Sequence, residues 1–104
     1  MPPSSTVIIE QLRQLVATPS VSSTDPRWDQ GNRAVIDLLA GWLEDLGFST
    51  RIQAVSADGS KANLIATRGS GPGGLVLAGH TDTVPFDEGR WQSDPLGLSE
   101  RDHR

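Results

Sequence analysis

At Gly47 the hydrophobic period of the sequence changes, and that switch excludes an all-helical or all-β chain. Before it, Val35, Leu38, Leu39, Trp42, Leu43 and Leu46 form a continuous apolar stripe at i, i+3, i+4, i+7, i+8 and i+11. The spacing predicts a helix over about 30–46, with Asp25 and Asp29 as candidate caps and Gly47 as the C′ residue. After Gly47, "FSTRIQAV" sets Phe48, Thr50, Ile52 and Ala54 against polar neighbours, which predicts a half-buried strand over about 48–55. "SADGS" reads as a turn, and "KANLIATR" as a second strand over about 61–67, antiparallel to the first. "GLVLAG" predicts a third strand over about 74–79, apolar throughout and so of the kind buried on both faces.

A first helix is expected over about 5–17. Ser4, Ser5 and Thr6 offer N-cap oxygens, Ile8, Ile9, Leu12, Leu15 and Val16 follow at helical spacing, and Pro19 ends the run. The order is helix, helix, strand, strand, strand, loop, which is an α/β pattern. A strand buried on both faces needs helices above and below it and neighbours at its edges. Two helices and a hairpin supply only part of that, so the expected layer is unfinished.

Composition narrows the function classes. A chain of 104 residues with 36% apolar content supports at most one modest core. A net charge of −4 and the lack of any Lys/Arg cluster argue against nucleic acid as a partner. With no cysteine there is no disulfide framework and no thiolate metal site. The first twenty residues lack the basic and apolar regions of a signal peptide, and no apolar run approaches the roughly 20 residues that span a bilayer. The expectation is a soluble, cytoplasmic protein without membrane contact.

Three patterns could carry chemistry. Gly69, Gly71 and Gly74 match G-x-G-x-x-G, but a strand follows where a helix N-terminus should receive the phosphates, so a loop between strands is the better reading. Asp87, Glu88 and Asp94 read as loop carboxylates, Trp91 as a residue packing over the strand ends, and His103 as an exposed tail residue. His80 and Asp82, in "LAGHTDTVP", emerge at the end of the third strand, where sites of open α/β sheets sit. In an extended chain both side chains share one face, with Thr81 and Thr83 on the other. Imidazole is a common metal ligand, and a carboxylate two residues on can orient it. The alternative is a surface-loop histidine beside a turn aspartate. A catalytic zinc needs about three protein ligands, and a two-metal site needs more. The chain alone does not provide them.

"LVLAGHTDTVPFDEGRW" resembles the N-terminal portion of the zinc-dependent deacetylase, aminoacylase and carboxypeptidase family. "LVATPSVSST", "DQGNRAVIDLLAGWLEDLGF", "KANLIA" and "WQSDPLGLSE" are similar to it in order and spacing. "FDEGRW" points to the acetylornithine branch rather than the succinyl-diaminopimelate branch. The resemblance implies a zinc-exopeptidase-like mixed sheet with helices on both faces, of which this chain is the first part of the catalytic domain. It implies that His80 is a metal ligand and that Asp82 is the catalytic acidic residue that holds its imidazole. The implied cofactor is Zn2+ at a two-metal site, with Co2+ as a substitute. The implied reaction is hydrolysis of a small N-acyl amino acid, N2-acetyl-L-ornithine in arginine biosynthesis, with a glutamate base activating water. The remaining ligands, the base and a dimerising lid domain, which would make the complete enzyme a homodimer, fall outside the 104 residues. The chain is therefore expected to be an N-terminal fragment, inactive alone. The rival readings are a succinyl-diaminopimelate desuccinylase or other N-acyl amino acid hydrolase, and a non-catalytic interaction module.

Overall fold

The computed structural model describes residues 2–104. Helix α1 spans Ser5–Val16 and opens on Ser4, whose hydroxyl accepts the Val7 N–H at 3.3 Å. Helix α2 spans Arg33–Asp45, and strands β1 (Ser49–Ala54) and β2 (Ala62–Thr67) follow, with a short 3-10 turn at Glu88–Arg90. α2 ends in a two-bond C-terminal motif. The Gly47 N–H donates to Glu44 O at 2.9 Å, and the Phe48 N–H donates to Leu43 O at 3.0 Å. Gly47 has a φ of +85°, the left-handed geometry that glycine adopts without strain.

β1 and β2 form a two-stranded antiparallel sheet in which Ile52 faces Leu64 and Ala54 faces Ala62. The turn between them is organised by one carboxylate. Asp58 Oδ1 accepts from the Ser56 hydroxyl, the Ser60 hydroxyl and the Ser60 N–H at 2.7, 2.8 and 3.0 Å. These donors hold the Asp58 carboxyl at about 2, below its ordinary 3.8, the Ser56 hydroxyl contributing most. α2 packs on both strands, and the buried residues Val35, Ile36, Ala40 and Ala62 form the core with Val21.

The sheet is covered on one face only, and the apolar stripe of α2 is correspondingly split. Val35, Ile36 and Ala40 are buried, Leu38, Leu39, Trp42 and Leu43 are half-buried, and Leu46 is exposed. The expected start of α2 near residue 30 is also corrected. Residues 30–32 carry no helical turn because their backbone bonds elsewhere: Gln30 N–H donates to Val21 O at 2.7 Å, and Asn32 N–H to Ser60 O at 2.9 Å. Asp25 and Asp29 do not cap α2. Asp25 closes its own turn onto the Arg27 N–H, and Asp29 accepts from the Ser23 N–H and the Lys61 ammonium.

The third expected strand, over 74–79, does not form. Among the described residues, none from 75 to 79 makes a backbone hydrogen bond, and Leu75, Val76 and Leu77 are 84%, 88% and 86% exposed. A run of this kind becomes a strand only when a neighbouring strand pairs with it, and among the described residues none does. The global dimensions agree. The radius of gyration is 16.1 Å, against about 13 Å for a compact domain of this length. The exposed area is 8468 Å², against about 5,700 Å² for a folded monomer of this mass. These elements are α/β parts that do not close a layer of their own.

Candidate functional site

The segment after the apolar run is held even though the run itself is not. Thr83 and Val21 form a parallel bridge, in which the Ser22 N–H donates to Thr83 O at 2.8 Å and the Thr83 N–H donates to Ser20 O at 3.1 Å. The buried Ser20 hydroxyl donates to Thr81 O at 2.6 Å. The Asn32 carboxamide donates to Thr81 Oγ1 at 3.1 Å. Residues 81–83 are thus tied to the loop before α2 and to the N-terminus of α2.

On this tether sit His80 and Asp82. His80 Nδ1 lies 3.0 Å from Asp82 Oδ1 and 3.1 Å from Asp82 O. In the Nδ1–H tautomer the ring donates to these oxygens, which leaves the Nε2 lone pair free. Both side chains are open to solvent, at 80% and 61% exposure. An exposed imidazole with one nitrogen pinned to a carboxylate and the other free is the donor arrangement of an oriented metal ligand. The residues present fit one ligand and its orienting acid. They do not fit a whole centre, because among the described residues no group of three or more His, Cys, Asp and Glu side chains is gathered around one point.

Asp82 also lines a small cleft of about 150 Å³ with Ser20, Ser22, Gln30, Asn32 and Lys61. Lys61, on the cleft's lining, is paired with Asp29 at 2.8 Å. The Lys61 ammonium, then the Ser23 N–H, hold the Asp29 carboxyl below its ordinary value. The other candidate residues lie away from this corner. Asp87 Oδ1 accepts the Gly89 N–H at the 3-10 turn, Asp94 Oδ1 accepts the Leu96 N–H, and His103 is exposed near the C-terminus. Trp91 packs edge-on against Phe86 at 6.2 Å between ring centres and remains 54% exposed, so it does not cover the strand ends. Gly69, Gly71, Gly73 and Gly74 all have positive φ and form a loop, with no helix after it to receive a phosphate.

Three residues that organise the corner carry no local signature in the sequence. Gly31 admits the Ser60 carbonyl so closely that a Cβ there would lie 2.4 Å from its oxygen. Asn32 and Ser20 act on residues 30 to 61 positions away. Only a polar residue in a loop flanking an apolar stripe hints at them.

The architecture is thus an α/β unit presenting a His-x-Asp segment beside its sheet. No family model matches the chain. Individual proteins do: acetylornithine deacetylase from Proteus mirabilis is 63% identical over 94 residues, which is 90% of this chain and 24% of that protein. The acetylornithine deacetylases of Erwinia tasmaniensis and Photorhabdus laumondii are 56% and 58% identical over 96 residues, 92% of this chain and 25% of theirs. By sequence the chain is similar to acetylornithine deacetylases over nine-tenths of its own length, and it spans about a quarter of the length of the curated relatives it matches.

Proposed function

We propose that this chain contributes one metal-ligand corner to a metal-dependent amide hydrolase acting on N2-acetyl-L-ornithine, yielding L-ornithine and acetate for arginine biosynthesis. The single observation that carries the reading is the His80–Asp82 pair, with Nδ1 engaged at 3.0 Å and Nε2 free, in a chain 63% identical to an acetylornithine deacetylase. In this reading His80 is the ligand and Asp82 fixes its tautomer and ring angle. The partner is a small N-acyl amino acid, the metal is Zn2+ or Co2+, the complete enzyme is a homodimer, and the compartment is the cytoplasm. No helix among the described residues is long and apolar enough to cross a membrane.

A bound divalent metal supplies Lewis acidity, which activates water and polarises the scissile carbonyl. The chain's own part is prior to that step. Asp82 accepts a hydrogen bond from Nδ1–H, makes the ring more basic at Nε2, and stops it from rotating away. Because the other ligands and the base are not gathered here, the 104-residue chain alone is expected to bind zinc weakly and to hydrolyse nothing.

The test is a chimera in which this chain replaces the matching quarter of the Proteus mirabilis enzyme. It is expected to hydrolyse N2-acetyl-L-ornithine in preference to N-succinyl-diaminopimelate. In that chimera His80→Ala should abolish activity and one equivalent of metal, and Asp82→Asn should cost roughly 10- to 100-fold. Full activity in the His80→Ala chimera would sink the ligand assignment, and a preference for the succinyl substrate would move the chain to the rival branch.

A further inference from the structure

We propose that Asn32 is the positioning residue of the His80–Asp82 corner, acting through the Thr81 side chain, with Ser20 as its counterpart on the Thr81 carbonyl. The Asn32 carboxamide makes three hydrogen bonds, none within its own helix. Its Oδ1 accepts the Ala62 N–H at 2.8 Å, and its Nδ2 donates one proton to Ala62 O at 2.9 Å and the other to Thr81 Oγ1 at 3.1 Å. An N-cap asparagine ordinarily spends its side-chain oxygen on its own helix, yet Asn32 makes no such bond. Its helix end is instead capped from outside, by Ser60 O, which accepts the N–H groups of Asn32 and Arg33 at 2.9 and 3.1 Å. That arrangement frees the carboxamide to join β2 to the segment carrying His80 and Asp82.

The geometry has a functional consequence. The apolar run before His80 makes no backbone hydrogen bonds among the described residues, so it cannot fix the height or direction of the imidazole. The pins on 81–83 are the Asn32 carboxamide, the Ser20 hydroxyl and the bridge to Val21. Thr81 lies between His80 and Asp82, so holding both its side chain and its carbonyl sets the angle between the two functional residues. Asparagine is the side chain that suits this role. Aspartate lacks the two donors, and glutamine places them one methylene further out.

Resting on the reading of His80 as a ligand, the proposal is tested on the 104-residue chain by a pair of variants that leave the Asn32–Ala62 bonds intact. Thr81→Val removes the acceptor at constant shape, and Thr81→Ser restores it. Three readouts are taken by NMR: the Nδ1–H to Nε2–H tautomer ratio of His80, amide exchange at Thr83 and along β1–β2, and the His80 ring shift during a Zn2+ titration. In Thr81→Val, Thr83 exchange should quicken about five- to tenfold, the equivalent of one lost hydrogen bond. The Nδ1–H tautomer should lose its predominance while β1–β2 exchange stays unchanged, and Thr81→Ser should return both to the parent values. Unchanged tautomer and Thr83 exchange in Thr81→Val would overturn the positioning role. So would an equal acceleration of β1–β2, which would mark the bond as merely structural. A His80 ring that ignores Zn2+ in every variant, with the tautomer shift still present, would instead defeat the ligand reading and leave the positioning intact.

Discussion

β2 and the run over 74–79 are both short apolar segments, yet one is built into a sheet and the other stands in solvent. Ala62 at the head of β2 is 2% exposed, whereas Leu75, Val76 and Leu77 are each 84% exposed or more. Hydrophobicity does not separate them; partners do. β2 has β1 at hairpin distance, a turn fixed by Asp58, α2 on one face and the Asn32 carboxamide at its first residue. The 74–79 run has a glycine-rich loop before it and, among the described residues, no strand paired with it. Burial of an apolar strand is a property of its neighbours, and the polar tether at 81–83 holds the segment of His80 and Asp82 without help from that strand.

Substitutions can break this comparison at each end. The largest effect is expected from Ile36→Ala, which empties a 3% exposed position where α2 meets the sheet. It should cost about 3 kcal/mol, enough to erase a cooperative urea transition in so small a core. Gly31→Ala should follow at about 2 kcal/mol, because its Cβ would press on the Ser60 carbonyl at 2.4 Å and push α2 off the hairpin turn. The loss should appear in the same urea midpoint.

Acid probes the turn. The Asp58 carboxyl is lowered to about 2 from 3.8, so its folded form binds the proton less readily than the unfolded chain does. Its contribution to the hairpin is therefore full above 3.8 and fades as the pH falls toward about 2. Protection of the Ser60 amide relative to its intrinsic exchange rate should fall through that window in the parent chain, and Asp58→Ala should remove the dependence. The smallest effect belongs to the exposed run. Leu77→Ser should change stability by less than about 0.5 kcal/mol, since an 86% exposed side chain loses no buried contacts. A cost above about 2 kcal/mol would show that the run is packed after all.

Much of the fold was legible because its signals are local. Ser4 before a helical stripe, Gly47 at the end of another, and alternating residues flanking "SADGS" each specify an element within a few residues. The His80–Asp82 spacing was legible for the same reason. What could not be read is what depends on distant partners. The state of 74–79 turns on strands that no local period encodes. The clamp formed by Asn32 joins residues 30 and 49 positions apart, and polar residues in loops give no period to detect. Asp25 and Asp29 misled for a related reason, since an aspartate near a helix start can equally close its own turn or meet a lysine from another strand.

Residue-resolved amide hydrogen exchange on the 104-residue chain decides whether the polar tether or a strand holds His80 and Asp82. Slow exchange is expected in the interior of α2, across the β1–β2 ladder and at Thr83, with 75–79 exchanging at the rate of an unstructured chain. Protection of 75–79 together with the sheet, and none at Thr83, would contradict it: the corner bearing His80 and Asp82 would then be held by its strand and not by Ser20, Val21 and Asn32.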